Sequence, residues 1–135
     1  MKRILAIIFL YSSFSHGADV CRNIKTDAQT LLCMESKRDS ADKYLNDQYS
    51  KLLDKIRNRT GTMWPESLKQ ENVKKLKIAQ RNWIEFRDSN CKLYSLVVDD
   101  RTLAYQIAFS DCIITMSEAR GKELNEFLHP PVYIY

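Results

Sequence analysis

The sequence predicts an all-α protein, a disulfide-stapled antiparallel bundle of three long helices with room for a break that would make four. Three observations carry this expectation. Only three glycines and three prolines occur in 135 residues, so turns are few and helices can run long. Apolar residues recur at steps of three and four, the period of one helical face. Four cysteines, Cys21, Cys33, Cys91 and Cys112, give the even count that reads as two disulfides in a small exported chain.

Export is read from the first residues. Lys2 and Arg3 precede an apolar run over residues 4–11, and residues 12–18 are mostly small or polar, which is the order of a secretory signal peptide. The run is far shorter than the roughly 20 residues needed to span a bilayer. Cleavage is expected after Gly17 or Ala18, with Gly17 preferred because Ser15 and Gly17 then supply a small residue to both subsites. Ala18, Asp19 and Val20 before Cys21 do not form the lipobox of an acylated lipoprotein. The expectation is a leader over residues 1–17, a single domain over 18–135 with a short tail from about residue 129, and no stable membrane insertion once the leader is gone. The location implied is periplasmic or secreted.

Charge narrows the partners. The chain holds 21 Lys plus Arg against 17 Asp plus Glu; the leader removes Lys2 and Arg3 and no acid, leaving 19 against 17. The basic residues alternate with acids and form no sustained stripe, which argues against nucleic acid.

The first helix is expected from Thr26, with Asp27 in the first turn to complement the helix dipole. Its core stripe is read as Ala41, Leu45, Tyr49, Leu52 and Ile56, and residues 57–62 end it. A connector over residues 61–66 contains Trp64, which is either a lid on the core or an exposed binding anchor; the lid is the expected role. Pro65 or Glu66 opens the second helix, which should run to about Val97. Its stripe is read as Leu76, Ala79, Trp83 and Phe86, closed by Cys91. After a polar turn of Asp99, Asp100, Arg101 and Thr102, a third helix is expected over about 103–128. Its inner stripe is read as Ala108, Cys112, Met116 or Thr115, Ala119 and Leu124, and Pro130 and Pro131 end it. In the tail, Val132, Tyr133, Ile134 and Tyr135 can pack on the bundle or offer a short strand; packing is expected.

Spacing bears on the disulfides. Cys91 and Cys112 are equidistant from the turn at Arg101 and Thr102, so they lie level in an antiparallel hairpin. Cys21 can close on Cys33 if the segment before Thr26 folds back, since five residues reach about 16 Å. Cys33 and Cys91 are symmetric about Thr62 and would be level too. The expected pairs are Cys21–Cys33 and Cys91–Cys112, with Cys33–Cys91 left open, and all four cysteines gather at one end.

No catalytic constellation emerges. The one histidine beyond the leader is His129, so no histidine dyad or triad is at hand, and no Gly-rich phosphate loop, HExxH or nucleophile elbow occurs. Asp99 and Asp100 are adjacent acids at a turn, where solvation is the ordinary role. No metal or cofactor is expected, and the chain reads as a binding protein, not an enzyme. Asn46, Gln80, Trp83, Arg87, Asp88 and Arg120 are read as structural, because a long arginine can lie over the core and bond helix ends or an acid. The candidate partner surface is the connector: Arg57 and Arg59 offer cations, Thr62 a hydroxyl, and Met63 and Trp64 an apolar contact.

Ala79, Gln80, Trp83, Phe86, Arg87, Asp88 and Cys91 form AQ-x-x-W-x-x-F-R-D-x-x-C, which resembles the signature of the LprI-like family of small secreted bacterial helical domains. Cys21 and Cys33 match its first cysteine pair. Leu45, Asn46 and Tyr49, with Leu52 or Leu53, match an LN-x-x-Y-x-x-L block, and Cys112, Arg120 and Leu124 match C-x4-T-x-x-R-x-x-x-L. Ser117 stands where threonine is usual, and Asp99 and Asp100 replace the glycine common in that turn. The resemblance covers Cys21 to Leu124. It implies a periplasmic lysozyme inhibitor that plugs the cleft of a peptidoglycan-cleaving enzyme and engages its catalytic carboxylates. The alternative on the residues alone is an envelope immunity or accessory module that binds another exported protein.

Overall fold

The structure, a computed structural model, describes residues 20–61 and 63–130. The expected leader, Thr62 and the tail from residue 131 lie outside the described residues.

Three helices account for the architecture. Helix α1 spans Asp27–Arg57 and starts on a reciprocal cap. The Thr26 hydroxyl accepts from the Gln29 backbone N–H at 3.2 Å, and the Gln29 side chain accepts from the Thr26 N–H at 3.2 Å, satisfying two otherwise orphaned donors. The connector that follows turns at Gly61, whose φ of +109° is open to glycine and costly for other residues. Helix α2 spans Glu66–Lys92 after Pro65 and tightens into one 3₁₀ turn over Leu93–Leu96. No break divides it. Helix α3 spans Leu103–Leu128, its first turn capped by the Thr102 hydroxyl, which accepts from the Tyr105 N–H. No strand occurs among the described residues, and none of their helices is long and apolar enough to cross a membrane.

Cross-helix contacts fix the register. Asp42 meets Ser117, Tyr44 lies against Gly121, and Lys55 donates to the Leu128 carbonyl, so positions rise together and α1 runs parallel to α3. Gln80 meets Arg120, Arg87 meets Ser117, and Cys91 is joined to Cys112, so α2 runs antiparallel to both. The disulfides are Cys21–Cys33 and Cys91–Cys112, with Cα separations of 4.9 and 5.6 Å. Both sit in the half of the bundle away from the connector. Helices α1 and α3 share the most extensive interface.

That interface is close because α3 presents small residues to it. Its buried line is Ser110, Ile113, Ser117, Gly121 and Leu124, and a Cβ built on Gly121 would fall 2.6 Å from Cδ1 of Tyr44. The expected α3 stripe is corrected accordingly: Cys112 and Leu124 are buried, but Ala119 and Thr115 face solvent. Helix α1 buries Ala41, Leu45 and Leu52 and half-buries Tyr49 and Ile56.

Helix α2 needs the larger correction. Its buried residues are Gln80 and Cys91, whereas Ala79 is exposed and Phe86 is 58% exposed. At about 100° per residue, Phe86 lies about 120° around the helix from Gln80. The inward line is Leu76, Gln80, Trp83, Arg87 and Cys91. Reading by hydrophobicity passed over its polar members.

The core therefore has two apolar parts. Leu45, Leu52 and Leu124, with Tyr49, Ile56, Leu76, Trp83 and Leu128 packed against them, fill the connector half. Cys91, Cys112 and Ile113, with Phe109 and Met116, fill the disulfide half. Between them lies a polar layer drawn from all three helices.

Candidate functional site: polar layer and connector groove

Arg87 is the centre of the polar layer. Its Nη1 donates to Asp42 Oδ1 at 3.0 Å and to Ser117 Oγ at 2.9 Å, and its Nε donates to Asp88 Oδ1 at 2.9 Å. Ser117, fully buried, donates onward to Asp42 at 3.1 Å. One guanidinium thus ties α2 to α1 and α3, with only 11% of its side chain exposed. One turn toward the connector, Arg120 Nε donates to Gln80 Oε1 at 3.2 Å and its Nη1 pairs with Glu123 at 2.7 Å. The two guanidinium carbons lie 5.4 and 5.8 Å from the Trp83 ring centroid, within cation–π range.

Arg87 and Arg120 thus fasten α2 to its neighbours, Arg87 by donating to Asp42 and Ser117 and Arg120 by donating to Gln80, with Trp83 near both guanidinium groups and Asp88 bonded to Arg87 within α2. Asn46 stands apart, exposed on α1. Asp42 escaped the sequence reading, although a signal was available. It follows Ala41 at the head of the 41, 45, 49, 52, 56 stripe and stands three residues before Leu45, so it lies on the same side of the helix, where a carboxylate calls for an inward cation.

The connector end carries an open groove of about 460 Å³. Leu52 and Ile56 of α1, Leu76 of α2 and Leu124 of α3 form its floor. Phe127 of α3, 59% exposed, and Trp64 of the connector form walls, with Asn72, Lys75 and Glu123 on the polar rim. Trp64 is half-buried and lines the groove, and the Arg59 guanidinium carbon sits 3.7 Å from its ring centroid. Arg59 makes no ion pair among the described residues, whereas Lys75 is paired with Glu71 at 2.7 Å.

Of the connector candidates, Arg59 and Trp64 line the groove, and Met63 projects beside them at 81% exposure. Arg57 does not line it and faces Asp54 at 3.9 Å. Thr62 lies outside the described residues. A second apolar surface lies at the opposite end, where Leu93, Leu96 and Val97 are exposed.

The turn before α3 is closed by Asp99 and Arg101. Asp99 accepts from the Arg101 side chain at 3.0 and 3.1 Å and from its backbone N–H at 3.0 Å. The Arg101 side-chain bonds, then the backbone bond, hold the Asp99 carboxyl below the ordinary carboxylate range. No group of three or more His, Cys, Asp and Glu suited to a metal occurs among the described residues.

Two disulfides, three helices and a tryptophan ring within cation–π range of two arginines define a small stapled helical domain, with its polar fastening in the middle and an open groove at the connector end. The family model described as "Lysozyme inhibitor LprI" matches residues 21–124. The chain belongs to that family. No match was found among curated proteins or solved structures.

Proposed function

We propose that the chain is an exported, non-catalytic protein of the bacterial envelope that inhibits lysozyme or another peptidoglycan-cleaving enzyme through its connector. Export rests on the leader read over residues 1–17, and the inhibitor class rests on family membership over residues 21–124. The observation that carries the site is Arg59 stacked on Trp64 and in no ion pair among the described residues. Stacking holds a planar cation in place before binding, which lowers the entropy cost of using it. Glycosidases of this kind commonly cut with a pair of carboxylates, and a guanidinium can meet a carboxylate through two parallel hydrogen bonds. Met63 and Trp64 add polarizable apolar surface suited to a sugar-binding cleft.

The near-neutral balance of 19 basic against 17 acidic residues after leader removal favours a second reading. Animal-type lysozymes are strongly basic, and a partner without an acidic surface gains no long-range steering toward them. An envelope immunity or accessory module with a different exported partner suits that balance better.

The test is titration of the oxidised chain from residue 18 into animal-type and bacterial lytic enzymes, following cell-wall lysis at two salt concentrations. Stoichiometric inhibition that weakens with salt and is lost in Arg59→Ala and Trp64→Ala, both with unchanged helicity, is the expected result. Arg59→Lys should inhibit less well than the parent, because an ammonium lacks the planar fork. Inhibition unchanged in the alanine variants removes the connector, and no inhibition of any lytic enzyme favours the second reading.

A further inference from the structure

The connector groove has a charge and a shape that select one kind of ligand. We infer that it is a binding site for a single-chain alkyl carboxylate, with the carboxylate on Arg59 and the chain laid along the aliphatic floor.

Charge sets the head group. Arg59, Lys75, Arg120 and Glu123 are the charged residues of the lining. Lys75 is paired with Glu71 and Arg120 with Glu123, each at 2.7 Å, so those charges are compensated. Arg59 is in no ion pair among the described residues, and its guanidinium carbon is held 3.7 Å from the Trp64 ring centroid. The uncompensated charge of the groove is thus one cation on the connector side. A stacked guanidinium keeps its planar fork of donors for a carboxylate, and a cationic ligand would meet repulsion there.

Shape sets the body. The floor of Leu52, Ile56, Leu76 and Leu124 is aliphatic and uncharged. The lining follows residues 72–79 of α2 and 120–127 of α3, about 10 Å along each of two antiparallel helices. A fully extended chain advances about 1.2 Å per single bond, a third of the reach of one residue, so about eight to ten carbons match that length. The volume of about 460 Å³ lies within the range of small-ligand sites, about 300–1,000 Å³. Phe127, 59% exposed, and the half-buried Trp64 would flank the chain and lose apolar surface to it. A peptide laid lengthwise fits less well, because the floor offers no partners to the N–H and C=O groups it would bury.

This inference goes beyond the inhibitor reading and does not rest on it. The test titrates the oxidised chain from residue 18 with octanoate, decanoate and dodecanoate below their micelle concentrations, by calorimetry and NMR. Saturable binding is expected, tightening about fourfold per methylene from octanoate to decanoate and little beyond, with shifts at the Leu76 and Leu124 methyls and the Trp64 indole N–H. Arg59→Gln should weaken decanoate about tenfold and leave decanol unchanged, whereas Phe127→Ser should weaken both, with helicity and both disulfides retained. Absence of saturable binding overturns the inference, as does decyltrimethylammonium binding as tightly as decanoate, or decanoate affinity unchanged in Arg59→Gln. Shifts centred on the exposed Leu93, Leu96 and Val97 at the opposite end also overturn it. So does a parent that sediments as a dimer with groove signals that move on dilution, because a second copy then fills the groove. Decanoate binding without inhibition of any lytic enzyme supports this inference and counts against the inhibitor reading alone; inhibition without decanoate binding does the reverse.

Discussion

Arg87 shows why polar residues sit in the middle of this core. Its guanidinium is almost enclosed, yet three neighbours, Asp42, Ser117 and Asp88, accept its protons, so the desolvation is compensated. Removing one member strands the others. Arg87→Ala should destabilise the domain by about 2–4 kcal/mol in denaturant unfolding, tempered by the partial exposure of Asp42. Asp42→Asn should cost less, because it keeps an acceptor. A loss under about 0.5 kcal/mol for Arg87→Ala, the level of an ordinary surface change, would remove the fastening role. Gly121 makes the opposite point, that the absence of a side chain is also a contact. Alanine ordinarily stabilises a helix interior over glycine by about 1 kcal/mol, but here its Cβ meets the Tyr44 ring. Gly121→Ala should therefore lower the melting temperature, and Tyr44→Ala in the same chain should relieve much of that loss in a double-mutant cycle. Strict additivity of the two changes would count against the close approach.

Helix α2 is the element least able to stand on its own packing. It buries only Gln80 and Cys91, half-buries Leu76 and Trp83 against the core and leaves Ile78, Ile84 and Phe86 exposed, so its attachment leans on the Arg87 and Arg120 bonds and on the Cys91–Cys112 link. That disulfide closes a loop of 21 residues, for which loss of unfolded-state entropy gives a stabilisation of about 3 kcal/mol. Cys91→Ala/Cys112→Ala should lose that amount, and hydrogen exchange should rise first in the C-terminal half of α2 and in the 3₁₀ turn. Uniform loss of protection in all three helices would show that α2 has no separate weakness. Acid sensitivity belongs to exposed turns and helix starts. Hydrogen bonds from Lys69 and Gln70 lower the Glu66 pKa, those from Lys75 lower Glu71, and those from Arg101 lower Asp99. A lowered carboxylate pKa gives stability that is complete above the unfolded value, about 4, and is lost as pH falls through the folded value. Melting temperature should therefore hold between about pH 5 and pH 7 and decline below about pH 4. Because all three groups are solvent-exposed, the decline should be shallow and should shrink with added salt.

The bundle as a unit separates what holds it together from what it offers outward. Disulfides and polar layer occupy the end and middle away from the connector, leaving Arg59, Met63 and Trp64 beside an open apolar groove. Alanine at Arg59 or Trp64 should accordingly alter partner binding while leaving global unfolding within about 1 kcal/mol of the parent, whereas changes at Arg87 or Gly121 should do the reverse; circular dichroism melts run beside inhibition assays check both. Helix number and ends were legible in the chain because local signals set them: Thr26 with Gln29, Pro65, Thr102, and the paired prolines at 130 and 131. The even cysteine count and the AQ-x-x-W-x-x-F-R-D-x-x-C motif pointed to the family whose model matches residues 21–124. What periodicity alone misassigned was which face of α2 and α3 turns inward. Hydrophobic spacing favours Phe86 and Ala119, but burial goes to Gln80, Arg87, Ser117 and Gly121, since a polar group is cheap to bury once another helix satisfies it and a small one is preferred where two backbones approach. Those partners are supplied from 30 to 45 residues away along the chain. Sequence thus determined the helices, their caps and the family, and only the tertiary structure decided the core's polar layer and the groove, because both exist in contacts between helices and in no helix alone.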